Sequence, residues 1–254
     1  MTRKILFVLI LICSLVVPVS GAQELESLMK TGNDLYQNKQ YNESIASYEA
    51  IIKQGYLSSD LYYNLGNAYY KTGQIGKSIL FLEKAIKVSP NNSDATYNLR
   101  IVNARTVDKI QEVPPLFFIK WWNVLLSTFT STGWQVIVFI FYILLLACIA
   151  AYLLIRNLQI QKYSFIFGTM NIVALAISVI LFFSSLARES SNDYGVLMQS
   201  VANVKISPDK QSEDAFVVHE GIKFKIEDEV NNWVKIKLSD GKVGWLPSNT
   251  FEVI

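Results

Sequence analysis

Cysteine and histidine are nearly absent from this chain of 254 residues. The two cysteines, Cys13 and Cys148, both lie in apolar segments, and His219 is the only histidine. The soluble segments therefore cannot form a disulfide or a cysteine-based zinc site. His219 lies in a pattern of alternating polar and apolar residues, which favours a structural role. Because the sequence also lacks a glycine-rich phosphate loop and a recognisable catalytic triad, we predict that the protein is not an enzyme and has no cofactor and no metal.

An excess of charge is lacking as well. The chain has 23 basic and 21 acidic residues, which give a formal net charge of +2. Arg3 and Lys4 account for this difference, because residues 1–22 contain no acidic residue. A protein that binds nucleic acid needs a basic surface to neutralise phosphates, so we predict no nucleic-acid partner.

Long apolar runs, in contrast, are prominent. Residues 133–155 and 164–186 are apolar segments of 23 residues each, and both are predicted to be transmembrane helices. Such a helix is about 35 Å long at roughly 1.5 Å per residue, enough to cross a hydrocarbon core of about 30 Å. Only residues 156–163 separate the two segments, so we predict a tight hairpin with both flanking segments on one side of the membrane. Neither segment contains a charged residue, which argues against a transporter.

Residues 1–22 have the pattern of a signal peptide. Arg3 and Lys4 precede an apolar run of 13 residues, Pro18 ends that run, and small residues lie just before Gln23. An uncleaved membrane anchor is the alternative. In both cases the chain that follows is exported from the cytoplasm.

The charge of the loop between the spans predicts the orientation. Residues 156–163 carry Arg156 and Lys162 and no acidic residue, which indicates a cytoplasmic loop by the positive-inside rule. We therefore predict a protein of a bacterial inner membrane, with both soluble domains in the periplasm.

Residues 25–108 repeat themselves at a period of 34 residues. For example, Gly32 and Asn33 return as Gly66 and Asn67. The second copy contains these helix-packing residues: Tyr62, Leu65, Gly66, Tyr69, Ser78, Leu82, Ala85 and Pro90. The period and this pattern resemble the tetratricopeptide repeat family.

The resemblance implies an all-α solenoid in residues 23–112. Its repeats lie at about 25–58 and 59–92, and a polar capping helix follows at 93–110. The family uses the first helix of each repeat to build a concave face that binds peptides of protein partners. The matching positions here are Met29, Asn33, Tyr36, Tyr63, Asn67, Tyr70, Lys71 and Arg105. Aromatic and amide groups suit an extended peptide bound weakly and transiently; the alternative is that these side chains merely solvate a helix face.

Residues 114–131 are predicted to form a helix in the plane of the membrane surface. Lys120, Asn123, Ser127 and Ser131 recur at steps of three and four and make a narrow polar stripe among aromatic and apolar residues. The neighbouring tryptophans suit the headgroup level of a membrane. We therefore predict contact with membrane lipid, with an ordinary flank of the first span as the alternative.

Residues 195–254 alternate between apolar and polar side chains, as strands do. Asp240 and Gly241 form a tight hairpin signal between two of these strands. The strings NWVKI at 232–236 and DGKVGWLP at 240–247 resemble bacterial SH3 domains. The resemblance implies an all-β, SH3-like small barrel.

In eukaryotic SH3 relatives, a groove of aromatic residues and a proline binds polyproline helices. Asn232 stands where the groove tryptophan would be, which argues against polyproline recognition. Bacterial members bind cell-wall or protein partners, and both alternatives stay open. The residues of the predicted surface are Trp233, Trp245, Pro247 and Asn249, with the two tryptophans expected to lie partly in the core.

The order of these segments resembles BatE-like proteins of the Bacteroides aerotolerance (Bat) system. The family implies an inner-membrane scaffold that works beside von Willebrand A-domain membrane proteins and a MoxR-type ATPase in stress or oxygen tolerance. The fold class is accordingly a multidomain membrane protein with a tetratricopeptide solenoid, a two-helix transmembrane hairpin and an SH3-like barrel. The alternatives are a sensor that binds peptidoglycan through its SH3 domain and, less favoured, an undetected hydrolase.

Overall fold

The computed structural model describes residues 22–110, 114 and 116–254. The predicted signal peptide lies outside the described residues, apart from Ala22. The chain divides into two compact units, Met1–Tyr56 and Leu57–Ile254.

The first unit contains two packed helices, α1 (Ala22–Gln37) and α2 (Tyr41–Lys53). Their close approach depends on Gly32, because a Cβ atom there would lie 2.5 Å from a ring carbon of the buried Tyr48. The Ser44 hydroxyl donates a hydrogen bond to the Gly32 carbonyl oxygen at 2.9 Å, which joins the two helices further. This helix pair corresponds to the first predicted repeat.

The second unit begins with three helices, α3 (Ser59–Lys71), α4 (Ile75–Val88) and α5 (Ser93–Asn103). The side chains of Ser58 and Asn92 accept hydrogen bonds from backbone N–H groups and so cap the starts of α3 and α5. The buried apolar residues of the three helices include Leu61, Leu65, Ala68, Ile79, Leu82, Ala85 and Val102. The pair α3 and α4 corresponds to the second predicted repeat.

Helix α5 is shorter than the sequence predicts. It ends at Asn103, whereas a capping helix was expected to continue through residue 110. The Lys109 ammonium reaches back and donates to the carbonyl oxygens of Asn103 and Ala104, each at 2.9 Å. The Thr106 hydroxyl also donates to the Asn103 carbonyl, at 2.9 Å. These side chains satisfy carbonyls that a longer helix would have paired internally, so the helix stops.

Three apolar helices follow: α6 (Phe117–Leu126), α7 (Ser131–Leu154) and α8 (Leu158–Ser190). Helices α7 and α8 have 24 and 33 residues and are long and apolar enough to cross a membrane. Helix α6 has only 10 residues, so the predicted helix at 114–131 is too long. A turn at residues 127–130 separates α6 from α7.

The connection between α7 and α8 is also shorter than predicted. Only residues 155–157 lie outside the two helices, whereas a loop at 156–163 was expected. The Asn157 side chain accepts hydrogen bonds from the backbone N–H groups of Gln159 and Ile160, which starts α8 at Leu158. The hairpin itself is therefore tighter than the length of the apolar runs indicates.

Small residues lie where α7 and α8 pack together. Gly168 of α8 is buried, and a Cβ atom there would be 3.6 Å from the Cβ of Cys148 in α7. Ser178 and Ser185, further along α8, are also buried. Small side chains allow two apolar helices to approach closely and gain packing contacts.

Seven strands form the C-terminal domain, in one antiparallel sheet with the order β3-β2-β6-β5-β4-β1-β7. The strands are β1 (Tyr194–Leu197), β2 (Val201–Lys205), β3 (Asp214–His219), β4 (Lys223–Val230), β5 (Trp233–Lys237), β6 (Val243–Pro247) and β7 (Phe251–Val253), with a 3₁₀ turn at Ser248–Thr250. The core of this sheet contains Leu197, Ala202, Val204, Val218, Ile222, Phe224, Val234, Ile236, Leu238 and Leu246. Gly241, with φ at +94°, forms the predicted turn between β5 and β6. The fold classes expected for both soluble domains are confirmed.

Candidate interaction surfaces

The predicted binding face of the first repeat lies on α1. Met29, Asn33 and Tyr36 are all half-buried there. The Tyr48 hydroxyl donates to the Asn33 side-chain oxygen at 2.7 Å, and the ring of Tyr36 meets that of Tyr41 edge-on at 5.3 Å. Asn33 therefore also joins α1 to α2, a structural use that the sequence did not predict.

In the second unit, a hydrogen-bonded cluster connects α3 with α5. The Asn98 side-chain amide donates to the Asn67 side-chain oxygen at 2.8 Å and to the Tyr63 hydroxyl at 3.3 Å. Tyr63 and Asn67 were predicted for this face, whereas Asn98 was missed. The repeat period gives no signal for this contact, because Asn64, which lies 34 residues before Asn98, is not among the predicted face residues.

Arg105 and Tyr70 form a second contact between α3 and the C-terminal part of the repeat region. The guanidinium carbon of Arg105 lies 4.9 Å from the centroid of the Tyr70 ring, a cation–π geometry. Arg105 lies beyond the end of α5, so this contact holds the chain after the helix against α3. Lys71, next to Tyr70, is exposed. Tyrosine, amide and basic groups therefore lie close together on the face formed by α3 and the segment around α5.

The two tryptophans of the SH3-like domain lie on the face of the sheet opposite to its core. Trp233 pairs in register with Pro247, and Trp245 pairs with Lys235 on one side and Lys205 on the other. Both indole side chains are half-buried. Val234, Ile236 and Leu246 alternate with the tryptophans and form part of the fully buried core. The expectation that the half-buried tryptophans lie partly in the core stays a prediction.

Charged side chains lie on the strands beside Trp245. Lys205 pairs with Asp214 at 2.7 Å. Lys235 and Lys237 both approach Glu227, at 3.9 and 3.7 Å. Asn249, the last predicted surface residue, is exposed in the 3₁₀ turn. The outer face therefore combines aromatic rings with lysines, and the sequence pattern singled out the rings but not the lysines.

Polar contacts join the helical repeat, and the segment that follows it, to the SH3-like domain within the second unit. The Gly76 N–H, in the first turn of α4, donates to a Glu220 carboxylate oxygen at 2.8 Å. The ammonium of Lys223 pairs with the carboxylate of Glu83 at 2.7 Å. The ring Nδ1 of His219 lies 2.9 Å from an Asp108 carboxylate oxygen, and the His219 backbone N–H donates to the other at 2.7 Å. The only histidine thus has the structural role that the sequence favours.

Two glycines allow this close approach. A Cβ atom at Gly76 would lie 3.0 Å from the Leu197 carbonyl oxygen. Gly221 has a φ of +86°, and a Cβ atom there would lie 2.7 Å from a side-chain carbon of Ile79. Larger residues would therefore force α4 and the turn between β3 and β4 apart.

Lys87 of α4 completes the junction. Its ammonium donates to the backbone carbonyl oxygen of Ile254 at 2.9 Å and to that of Ser191. Burial lowers the pKa of Lys87 below its ordinary value, although nearby acidic groups oppose this effect. A lysine that is desolvated but hydrogen-bonded to carbonyls fixes the end of α8 and the last strand against the repeat.

Comparison with known proteins identifies both soluble modules. Residues 59–92 match the tetratricopeptide repeat, and residues 200–252 match the bacterial SH3 domain. The match at 59–92 has the boundaries that the sequence predicts for the second repeat. A search of curated proteins found no match.

The fold and these matches define a multidomain protein with a helical repeat region, two long apolar helices and an SH3-like domain. Repeats and SH3 domains of these kinds are typically interaction modules without catalytic activity. Within residues 22–110, 114 and 116–254, no group of three or more histidine, cysteine or acidic side chains could hold a metal ion.

Proposed function

We propose that this protein is a scaffold anchored in a bacterial inner membrane, which recruits protein partners to the periplasmic face. The observation that carries the proposal is the contact between the second repeat and the SH3 domain. One module precedes the two apolar helices and the other follows them, yet Glu83 pairs with Lys223 across the junction. If both helices cross the membrane, such a contact requires both modules to lie on one side.

The orientation rests on the ends of the helices. Arg156 is exposed in the short connection between α7 and α8, and Lys162 is exposed in the first turns of α8. These two basic residues favour a cytoplasmic connection. Together with the predicted signal peptide, they support a periplasmic position for both modules.

The partner is a protein that presents an extended segment to the repeats. Tyr63, Asn67 and Tyr70 offer ring surfaces and amide groups, and Arg105 adds a positive charge. Resemblance to BatE-like proteins directs the search to von Willebrand A-domain membrane proteins and to a MoxR-type ATPase system. The short repeat region favours weak, transient binding.

Crosslinking in native membranes tests the scaffold. A photoreactive amino acid at Tyr63 or Tyr70 is expected to capture a co-purifying membrane protein. The same group at Thr96, an exposed residue of α5, serves as the control and should capture much less. Equal yields from all three positions would count against a partner on this face.

A second candidate function is recognition of the cell wall through the SH3 domain. The half-buried rings of Trp233 and Trp245, with Lys205 and Lys235 beside them, suit glycan rings and the carboxylates of stem peptides. Purified sacculi should then retain the full chain in detergent. Trp245→Ala should reduce retention about tenfold, whereas Tyr70→Ala should not change it. If neither the native chain nor the variants sediment with sacculi, this function is excluded.

A further inference from the structure

A small cavity lies where the repeat, the end of α8 and the first strand of the SH3 domain meet. Its volume is about 210 Å³. Residues that line it include Ile86, Lys87, Pro90, Arg188, Tyr194 and Ile254. The wall therefore combines apolar side chains with two cations, a composition that suits an amphipathic ligand.

Arg188 is one of the basic residues that line the cavity. Its Nε atom is buried and, among the residues that the structure describes, has no hydrogen-bond partner. A guanidinium N–H that is removed from water without an acceptor is unfavourable, so the group is suited to an incoming anion. The guanidinium fork matches the oxygens of a phosphate particularly well.

One acidic residue, Glu83, lines the cavity, and Asp193 and Glu189 lie near enough to Lys87 to act on its charge. Glu83 pairs with Lys223 at 2.7 Å. Glu189, next to Arg188, accepts a hydrogen bond from the Ser131 hydroxyl at 2.6 Å. The side chains that line the cavity itself include three cations, Lys87, Arg188 and Lys223, and one carboxylate, that of Glu83. This balance favours an anionic ligand.

The position of the cavity identifies the source of that anion. Arg188 lies two residues before the end of α8, and α6 exposes aromatic residues such as Trp121 and Phe117 beside the same apolar helices. A residue at the end of a membrane-spanning helix lies at the level of the lipid headgroups. Phosphate is therefore the anion most abundant at this depth.

We propose that this cavity binds the phosphate of a membrane phospholipid through the Arg188 guanidinium. Lys87 contributes positive charge, while Ile86, Pro90 and Ile254 contact the apolar glycerol part of the lipid. A bound lipid would thereby hold the repeat and the SH3 domain at a fixed height above the bilayer. The inference rests on the proposed membrane insertion but is independent of the identity of any protein partner.

Native mass spectrometry of the full chain, purified in detergent and titrated with phosphatidylglycerol, tests the proposal. Arg188→Gln should weaken lipid retention about tenfold, because a charge-assisted hydrogen-bond pair is lost. Arg156→Gln is the matched control, since this exposed arginine lies at the opposite end of the hairpin; it should retain the lipid as the native chain does. Arg188→Lys keeps the charge without the fork and should give an intermediate loss.

Equal retention by the Arg188 and Arg156 variants would overturn the proposal. Competition with glycerol 3-phosphate and with inorganic phosphate tells whether the cavity binds the phosphate of a lipid or a soluble phosphate. Displacement of the lipid by either at equal concentration would assign the cavity to a soluble phosphate and overturn the lipid assignment. A chain that inserts in the membrane but shows no difference between the variants refutes only this site, whereas a chain that does not insert refutes the proposed function.

Discussion

At the scale of single residues, glycine decides how closely the helices of the repeats approach. Gly66 of α3 faces Leu82 of α4, and a Cβ atom there would lie 2.9 Å from a side-chain carbon and 3.1 Å from the backbone nitrogen of that leucine. Gly32 has the same role against Tyr48 in the first repeat. The two glycines lie 34 residues apart, so the repeat period predicted both positions from the sequence.

Gly66→Ala should therefore loosen the second repeat. The added methyl group must displace both the side chain and the backbone of Leu82, which we expect to cost about 1–3 kcal/mol. Hydrogen exchange of the α3 and α4 amides measures this as a lower free energy of local opening. Lys71→Ala, at an exposed position of the same helix, should change that free energy by less than about 0.5 kcal/mol. Unchanged protection in Gly66→Ala would show that Leu82 relaxes freely.

Residue contacts between distant parts of the chain could not be predicted in the same way. Gly76 and Glu220 are 144 residues apart, and nothing in the local pattern of either one indicates their hydrogen bond. The same holds for Lys109, which ends α5 by bonding carbonyls that precede it. Periodicity reports which face of a helix is buried, whereas tertiary contacts determine where that helix ends.

At the scale of elements, the SH3 domain supplies a cap to a helix of the repeat. Gln74, the residue before α4, makes no side-chain capping bond, and the carboxylate of Glu220 instead accepts the Gly76 N–H. A carboxylate at this end also interacts favourably with the helix dipole. The SH3 domain, which follows the apolar hairpin in the sequence, therefore caps a helix that precedes the hairpin.

Glu220→Ala should destabilise the first turn of α4 by about 0.5–2 kcal/mol, as the loss of an N-terminal cap does. Hydrogen exchange should show faster opening at residues 76–79, with the SH3 core strands unaffected. Glu213→Ala, which removes an exposed carboxylate of the same domain, is the control and should leave α4 unchanged. Equal protection of α4 in both variants would contradict the capping role.

The apolar helices show which element boundaries a sequence can define. Composition located both long helices, because runs of apolar residues without charge are unambiguous. The sequence predicts that the second span begins at residue 164, because Gln161 and Lys162 resemble loop residues. In the structure, the cap at Asn157 starts α8 already at Leu158. Polar residues at the end of a membrane helix belong to the headgroup region and need not interrupt the helix.

At the scale of the whole molecule, the proposed functions depend on membrane topology. The contact between the second repeat and the SH3 domain, the short connection after Leu154, and the length of α7 and α8 all agree with a hairpin that crosses the membrane twice. The scaffold, the cell-wall alternative and the lipid site each require both modules on the same membrane face. Topology is therefore the property to measure first.

Labelling of single cysteines in intact cells measures it directly. Asn42→Cys and Lys210→Cys place thiols on exposed positions of the first repeat and the SH3 domain, and Lys162→Cys places one near the connection between the helices. Each variant also carries Cys13→Ala and Cys148→Ala, so that the introduced thiol reports alone whether or not residues 1–22 are removed. A membrane-impermeant maleimide should label positions 42 and 210 in intact cells and position 162 only after permeabilisation. Labelling of positions 42 and 210 from opposite faces of the membrane would contradict the account.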